Sequence, residues 1–200
     1  MIIATFALPK DHDMDDDPYH TRQFYEVQQM RLAQRNPAEF SPIYQAYVQR
    51  VYAFCLRRSA TPQDAEDLCS QVFIRALKGL SGYRGGLVSA WLFQIARNVI
   101  ANHYRGKKAM ISIDNIDIPM SDEHLSHGIE QRQDRQILTD LINALPEHKQ
   151  LILSLSLDAG LTSAEIGAVI NKKPEAVRVE LHRLIKQLRQ QYFYRIGHIS

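Results

Sequence analysis

The chain is 200 residues long, 45% hydrophobic and 23% charged, with 24 Lys and Arg against 22 Asp and Glu for a net charge of +2. That composition suits one ordinary domain or two small ones with buried cores and excludes a disordered chain. No window holds the roughly 20 apolar residues of a membrane helix, and the opening MIIATFALPK lacks a basic flank and a small-residue cleavage site, so a cytoplasmic protein without membrane insertion is expected.

Residues 1–20 are acidic and aperiodic, with five aspartates from Asp11 to Asp17, and read as a tail. Phe24, Val27 and Met30 mark a short helix from Thr21 to Gln34, so 1–35 is taken as tail plus helix. Asn36-Pro37-Ala38-Glu39 then offers an N-cap, a proline at the first helical position and an acid, and Ser41-Pro42 restarts the signal. A helix to about Arg58 follows, with Tyr44, Tyr47, Val48, Val51 and Cys55 at helical spacing. Thr61-Pro62-Gln63-Asp64 caps the next, which carries Ala65, Leu68, Val72, Phe73 and Ala76 and ends at Gly79 and Gly82. A glycine-rich loop from Ser81 to Val88 leads to a third helix from Ser89 to Arg105, with Leu92, Ile95, Ala96 and Val99 inward and Gly106 as its stop. Trp91, one turn before Ile95, reads as core. These elements define a first domain over 36–110.

Residues 111–134 turn acidic and polar, with Pro119 and Gly128, and read as a flexible linker. The second domain, 135–195, shows four helical patterns. Ile137, Leu138, Leu141 and Leu145 belong to the first; Pro146 opens the second, with Leu151, Ile152 and Leu155. Thr162-Ser163-Ala164-Glu165 is a capping box before a short helix with Ile166, Val169 and Ile170. After Asn171-Lys172-Lys173, Pro174 opens a long helix with Val177, Leu181, Leu184, Ile185 and Leu188 inward. No strand pattern appears, so the fold class is all-α, with two small helical domains.

Leu68 to Ile113 contains no acid and seven Lys or Arg, as a surface that follows phosphates requires, although a merely solvated face has the same look. In the second domain a short capped helix, a tight turn and a longer helix make the layout of a helix-turn-helix. Its outward residues are Lys172, Lys173, Glu175, Arg178, Val179, His182, Arg183 and Lys186, of which the cations can reach phosphates or guanine edges of duplex DNA. Cys55 and Cys69 lie in apolar helical patterns without a CxxC and read as buried thiols. His124 and His127 form an HxxH pair with no third ligand, so neither a metal nor a cofactor is expected.

The chain resembles the sigma-70 family of bacterial RNA polymerase sigma factors, specifically the small extracytoplasmic-function group with only regions two and four. In the first domain the likeness rests on Asp64-Ala65-Glu66-Asp67-Leu68, on Val72-Phe73-Ile74-Arg75-Ala76, and on Trp91-Leu92-Phe93-Gln94-Ile95-Ala96-Arg97-Asn98 running on to His103-Tyr104-Arg105. In the second it rests on Leu145-Pro146, Gly160-Leu161-Thr162, Glu165-Ile166 and Val177 followed by Leu181-His182-Arg183. The resemblance implies that Asp64, Glu66, Asp67, Ser70 and Gln71 meet core RNA polymerase on a coiled-coil clamp of its largest subunit. It implies that Arg84, Arg97, Asn98, Asn102, His103, Tyr104 and Arg105 hold the melted downstream promoter strand. The helix-turn-helix set takes the upstream promoter duplex, and an anti-sigma factor is the implied regulator.

Five positions depart from the family pattern. Ser70-Gln71 stand where a Gln-Glu pair is usual, Asn102 where an aspartate is, Ala176 for a threonine and Glu180 for a frequent arginine, which exchanges a cationic contact for an acceptor. A rival reading is a sigma-like interaction module that binds polymerase or a regulator without recognising promoters. With no glycine-rich phosphate loop, nucleophile with base, or ligand cluster, neither an enzyme nor a small-molecule substrate is expected. The acids of the tail and of the linker, Asp114, Asp117, Asp122, Glu123 and Glu130, are expected to compete weakly with DNA for the basic faces.

Overall fold

The computed structural model describes residues 18–110 and 129–196. Among these residues there are eight α-helices, two 3₁₀ turns and no strand. The helices are α1 (Pro18–Arg35), α2 (Ser41–Leu56), α3 (Pro62–Gly79), α4 (Val88–Met110), α5 (Ile129–Asn143), α6 (Glu147–Leu157), α7 (Ser163–Ile170) and α8 (Pro174–Ile196). The 3₁₀ turns are Pro37–Phe40 and Leu80–Gly82.

Local chemistry sets the helix starts. Asn36 is extended and its side chain accepts from the Ala38 N–H, with Pro37 fixing the next φ. Thr61 Oγ1 accepts from the Asp64 N–H at 3.0 Å and starts α3. At α7 the box is reciprocal, because the Thr162 hydroxyl takes the Glu165 N–H while the Glu165 carboxylate takes the Thr162 N–H at 2.8 Å.

In the first unit, α2, α3 and α4 bury Phe54, Leu68, Val72, Leu92, Phe93 and Ala96, and the Phe54 and Phe93 rings meet edge to face at 5.4 Å. Helix α1 closes this core with Met30 and Ala33 and is pinned by a polar contact, the Tyr47 hydroxyl donating to the buried Glu26 carboxylate at 2.9 and 3.0 Å. Arg22 completes the carboxylate's shell at 2.7 Å, so the buried charge is paired. Cys55 and Cys69 are buried and free, and burial pushes their thiols up to about 12 and about 11. In the second unit Ile137, Leu141, Ile152, Leu155, Ile166, Val169, Leu181, Leu184 and Leu188 form the core.

Several helices differ from their sequence expectation. Helix α4 continues through Gly106 to Met110, because one interior glycine costs only about 1 kcal/mol relative to alanine and the residues after it form helices well. Helix α5 starts at Ile129, six residues before 135, and α1 starts at Pro18, where proline suits a first turn. Tyr44 and Phe24, read as inward, are 45% and 68% exposed. Tyr44 instead lies against the outer side of Phe73, the ring centroids 4.7 Å apart. The tail aspartates, Asp114, Asp117, Asp122, Glu123, His124 and His127 lie outside the described residues, and Glu130 falls in the first turn of α5.

The turn between α7 and α8 brings the backbone close to Gly167. Asn171 adopts φ +57, the left-handed conformation a helix C-terminus uses, and the Lys172 N–H closes on Gly167 O at 2.9 Å. A Cβ on Gly167 would stand 2.5 Å from the Lys172 carbonyl oxygen. Gly167→Ala is therefore expected to lower unfolding stability by about 1–3 kcal/mol, whereas Gly82→Ala, which would meet nothing within 4 Å, is expected to be near neutral; urea denaturation of both variants checks this.

Candidate functional site

Three exposed surfaces carry the residues singled out by sequence. On α3, burial of Ala65, Leu68, Val72 and Phe73 turns Glu66, Asp67, Ser70 and Gln71 to solvent. Asp64 behaves differently: its carboxylate accepts from the Thr61 hydroxyl at 3.0 Å, so it serves the helix cap as well as the acidic face. The same face continues into Ile74 and Leu77, 51% and 42% exposed, which the sequence reading missed. Their signal was present, since neither falls on the stripe occupied by Val72, Phe73 and Ala76. An acidic start followed by exposed apolar residues suits a partner helix with a cation and an apolar flank.

The second surface is the loop before α4 and α4 itself. Gly85 and Gly86 hold φ of +100 and +89, which few residues other than glycine adopt. The Tyr83 hydroxyl donates to Gly86 O at 2.6 Å, and its ring packs edge-on to the half-buried Trp91. Arg84 projects into solvent, with Nη1 donating to Ser81 O at 2.7 Å.

Along α4 the sequence-predicted set divides. Arg97, Asn98, Asn102 and Arg105 are exposed and His103 and Tyr104 half-buried, and Arg97, Tyr104 and Arg105 also line a cavity of about 720 Å³ against α5 and α6, opposite Leu138, Ile142 and Leu151. Tyr104 is no stacking platform in this arrangement, because it is half-buried and its hydroxyl donates to Arg58 O. Burial also raises its hydroxyl above the ordinary tyrosine value. His103 meets the Tyr104 ring edge-on at 5.5 Å.

The two units meet through side chains that sequence did not flag. Arg50 on α2 donates through Nε to Ala159 O at 2.6 Å and through Nη2 to Gly160 O at 3.0 Å. Arg58 lies 4.3 Å over the Phe54 ring and donates to the Ser154 hydroxyl. Burial pulls its guanidinium down to about 10, so it stays charged at neutral pH. Burial raises the Asp158 carboxyl nearby, against the opposing pull of Ser154, Arg57 and Arg58. Gln94 on α4 donates to Ala168 O on α7 at 3.0 Å.

On the third surface, all eight predicted helix-turn-helix residues are exposed: Lys172, Lys173, Glu175, Arg178, Val179, His182, Arg183 and Lys186. Lys172 is already engaged, its Nζ lying 2.8 Å from Glu180 Oε2, while His148 Nε2 is 3.8 Å from Oε1 of the same carboxylate. Glu180 thus turns toward Lys172 and His148. An exposed pair of this kind is worth about 0–1 kcal/mol, little enough for a phosphate to displace the carboxylate. Among the described residues no group of three or more His, Cys, Asp or Glu is placed to hold a metal ion, and no helix is long and apolar enough to cross a membrane.

The Sigma-70 region 2 family model matches residues 43–110, covering α2 to α4, and the Sigma-70, region 4 model matches residues 135–188, covering the helix-turn-helix. The chain belongs to the sigma-70 family. Similar proteins place it in the extracytoplasmic-function group: it is 27% identical over 168 residues to the ECF RNA polymerase sigma factor BldN of Streptomyces coelicolor, across 80% of this chain and 64% of BldN. It is 28% identical to SigM of Bacillus subtilis across 75% of this chain and 93% of SigM, and 32% identical to ShbA of Streptomyces griseus across 66% and 76%. The chain spans less than two thirds of the length of BldN and of SigE from Mycolicibacterium smegmatis, 64% and 57%. Two solved structures share the fold. CnrH, solved with the cytosolic domain of CnrY, matches with a TM-score of 0.61 at 16% identity, over 87% of this chain and 98% of that one. RpoE of Bartonella quintana, solved with the anti-sigma factor NepR, matches at 0.57 and 18%, over 76% and 96%.

On the polymerase contact that the family resemblance implies for this face, reversing both charges at the start of α3, Glu66→Lys with Asp67→Lys, is expected to weaken binding to core RNA polymerase roughly 10-fold or more while leaving the thermal midpoint unchanged, since both residues are exposed. Core affinity by fluorescence anisotropy alongside thermal melting checks it; unchanged affinity in a folded double variant removes this face from the contact.

Proposed function

We propose that this sigma-family chain binds core RNA polymerase and directs it to promoters, recognising the upstream element as duplex and the downstream element as a melted strand. The observation that carries the proposal is the pairing, in one chain, of an acidic and apolar exposed face on α3 with a helix-turn-helix whose long helix exposes Lys173, Arg178, His182, Arg183 and Lys186. Polymerase contact is assigned to Asp64, Glu66, Asp67, Ser70 and Gln71, with Ile74 and Leu77 extending it. The strand is assigned to Arg84, Arg97, Asn98, Asn102, His103 and Arg105, and to Tyr104 once the second unit moves off the cleft that Tyr104 lines. Upstream duplex is assigned to the exposed face of α8 and its preceding lysines, where cations take phosphates and polar tips read the major groove.

The chain contributes recognition; the polymerase contributes catalysis. Its action is therefore that of a cytoplasmic initiation factor and not of an enzyme. Regulation by an anti-sigma factor is supported by the complex of RpoE with NepR.

One observation favours the rival reading, in which the chain binds polymerase or a regulator without reading promoters: Glu180 occupies Lys172 and His148 on the DNA-facing side. Run-off transcription separates the two. Core polymerase with this protein, on pooled promoter fragments from the source genome, is expected to yield transcripts with defined 5′ ends, and their yield is expected to fall steeply between about 50 and 200 mM salt. Core binding with no defined start would leave the interaction-only reading.

A further inference from the structure

The strand-facing loop of the first unit is anchored by its buried Leu80 and Tyr83 and hydrogen-bonded from outside by a side chain of α1. Near the C-terminal end of α1, Gln34 Nε2 donates to two backbone carbonyls, Leu80 O and Tyr83 O, each at 2.8 Å. A primary amide has two N–H donors, and both are used on carbonyls 46 and 49 residues further along the chain. The helix that carries Gln34 is itself fixed, since Met30 and Ala33 are fully buried and Glu26 receives the Tyr47 hydroxyl. Within the loop the hydrogen bonds are local: Tyr83 N–H to Leu80 O, the Tyr83 hydroxyl to Gly86 O, and Arg84 to Ser81 O. Gly85 and Gly86 add backbone freedom at its tip. A loop so built keeps one shape when its first turn is held, and Gln34 holds that turn at both ends. The tie comes from α1, which lies before the segment 43–110 matched to Sigma-70 region 2.

We propose that Gln34 is a positioning residue for promoter-strand recognition, holding the Leu80–Tyr83 turn so that Arg84 and the Gly85-Gly86 backbone stand at a fixed place against unpaired bases. This rests on the assignment of the loop to the melted strand. Reading an unpaired base requires donors, acceptors and flat faces at set spacing, while attraction of its phosphates does not. Loosening the turn therefore costs discrimination between bases more than it costs total affinity. Gln34→Glu places carboxylate oxygens against two carbonyl oxygens, and Gln34→Met keeps length and volume but has no donor.

The experiment uses holoenzyme assembled from core polymerase and the full chain, with fork-junction DNA whose unpaired non-template strand is randomised. Selected sequences give base discrimination at each unpaired position; core affinity and the thermal midpoint are measured on the same proteins. Both Gln34 variants are expected to lose roughly 10-fold in discrimination with core affinity and midpoint near wild type. Arg84→Ala is the control for the loop itself. If Arg84→Ala loses discrimination and both folded Gln34 variants keep it, the positioning role is overturned and the loop assignment stands. If neither Arg84→Ala nor the Gln34 variants change it, the loop assignment is wrong and the proposal falls with it. If the Gln34 variants lose discrimination only in step with core affinity and thermal midpoint, Gln34 is merely structural and the proposal is overturned.

Discussion

Burial of the apolar stripe of α4 against α2 and α3 is the constraint on which the other surfaces depend. Leu92, Phe93, Ala96, Val99 and Ile100 are all nearly inaccessible, and Phe93 is locked edge-on to Phe54. Fully burying side chains of this size contributes about 1.5–3 kcal/mol each, far more than any surface ion pair in the molecule. Once that stripe is committed, the polar residues of α4 have only the flanks left. Arg97, Asn98, Asn102 and Arg105 are exposed there, and Arg97 and Arg105 also line the cleft with Tyr104. The same packing fixes α3, whose Leu68, Val72 and Phe73 point inward and so turn Glu66, Asp67, Gln71 and Ile74 outward.

The contact between the two units adds polar ties to apolar packing. Guanidinium and amide donors of Arg50, Arg58 and Gln94 reach Ala159 and Gly160, Ser154, and Ala168, beside a cleft lined by Phe54, Ile100, Leu138, Ile142 and Leu151. Hydrogen bonds of this kind each contribute about 0.5–1.5 kcal/mol net, rather more where the donor is charged.

What the sequence disclosed follows the range of the interactions involved. Thr61, and Thr162 with Glu165, act within a few residues, and their chemistry is written locally as caps. The apolar stripes of α3 and α8 were equally plain, which is why the exposed residues of the helix-turn-helix could be read off in advance. Arg50 and Arg58 could not, because their partners lie about a hundred residues away and are mostly backbone carbonyls, which leave no mark in the sequence. Gln34 was hidden for the same reason. Gly106 misled because a glycine ends a helix only where the chain needs a positive φ, and α4 does not turn there.

The claim at the centre of this account is that three faces of one chain meet three different partners. Site-specific photocrosslinking in the open complex tests it most directly, with benzophenone-alanine placed singly at Gln71, Asn102 and His182, all exposed. The account predicts that Gln71 attaches to polymerase protein, Asn102 to the unpaired promoter strand and His182 to upstream duplex. Attachment of Asn102 to duplex alone, or of His182 to protein without DNA, would contradict it.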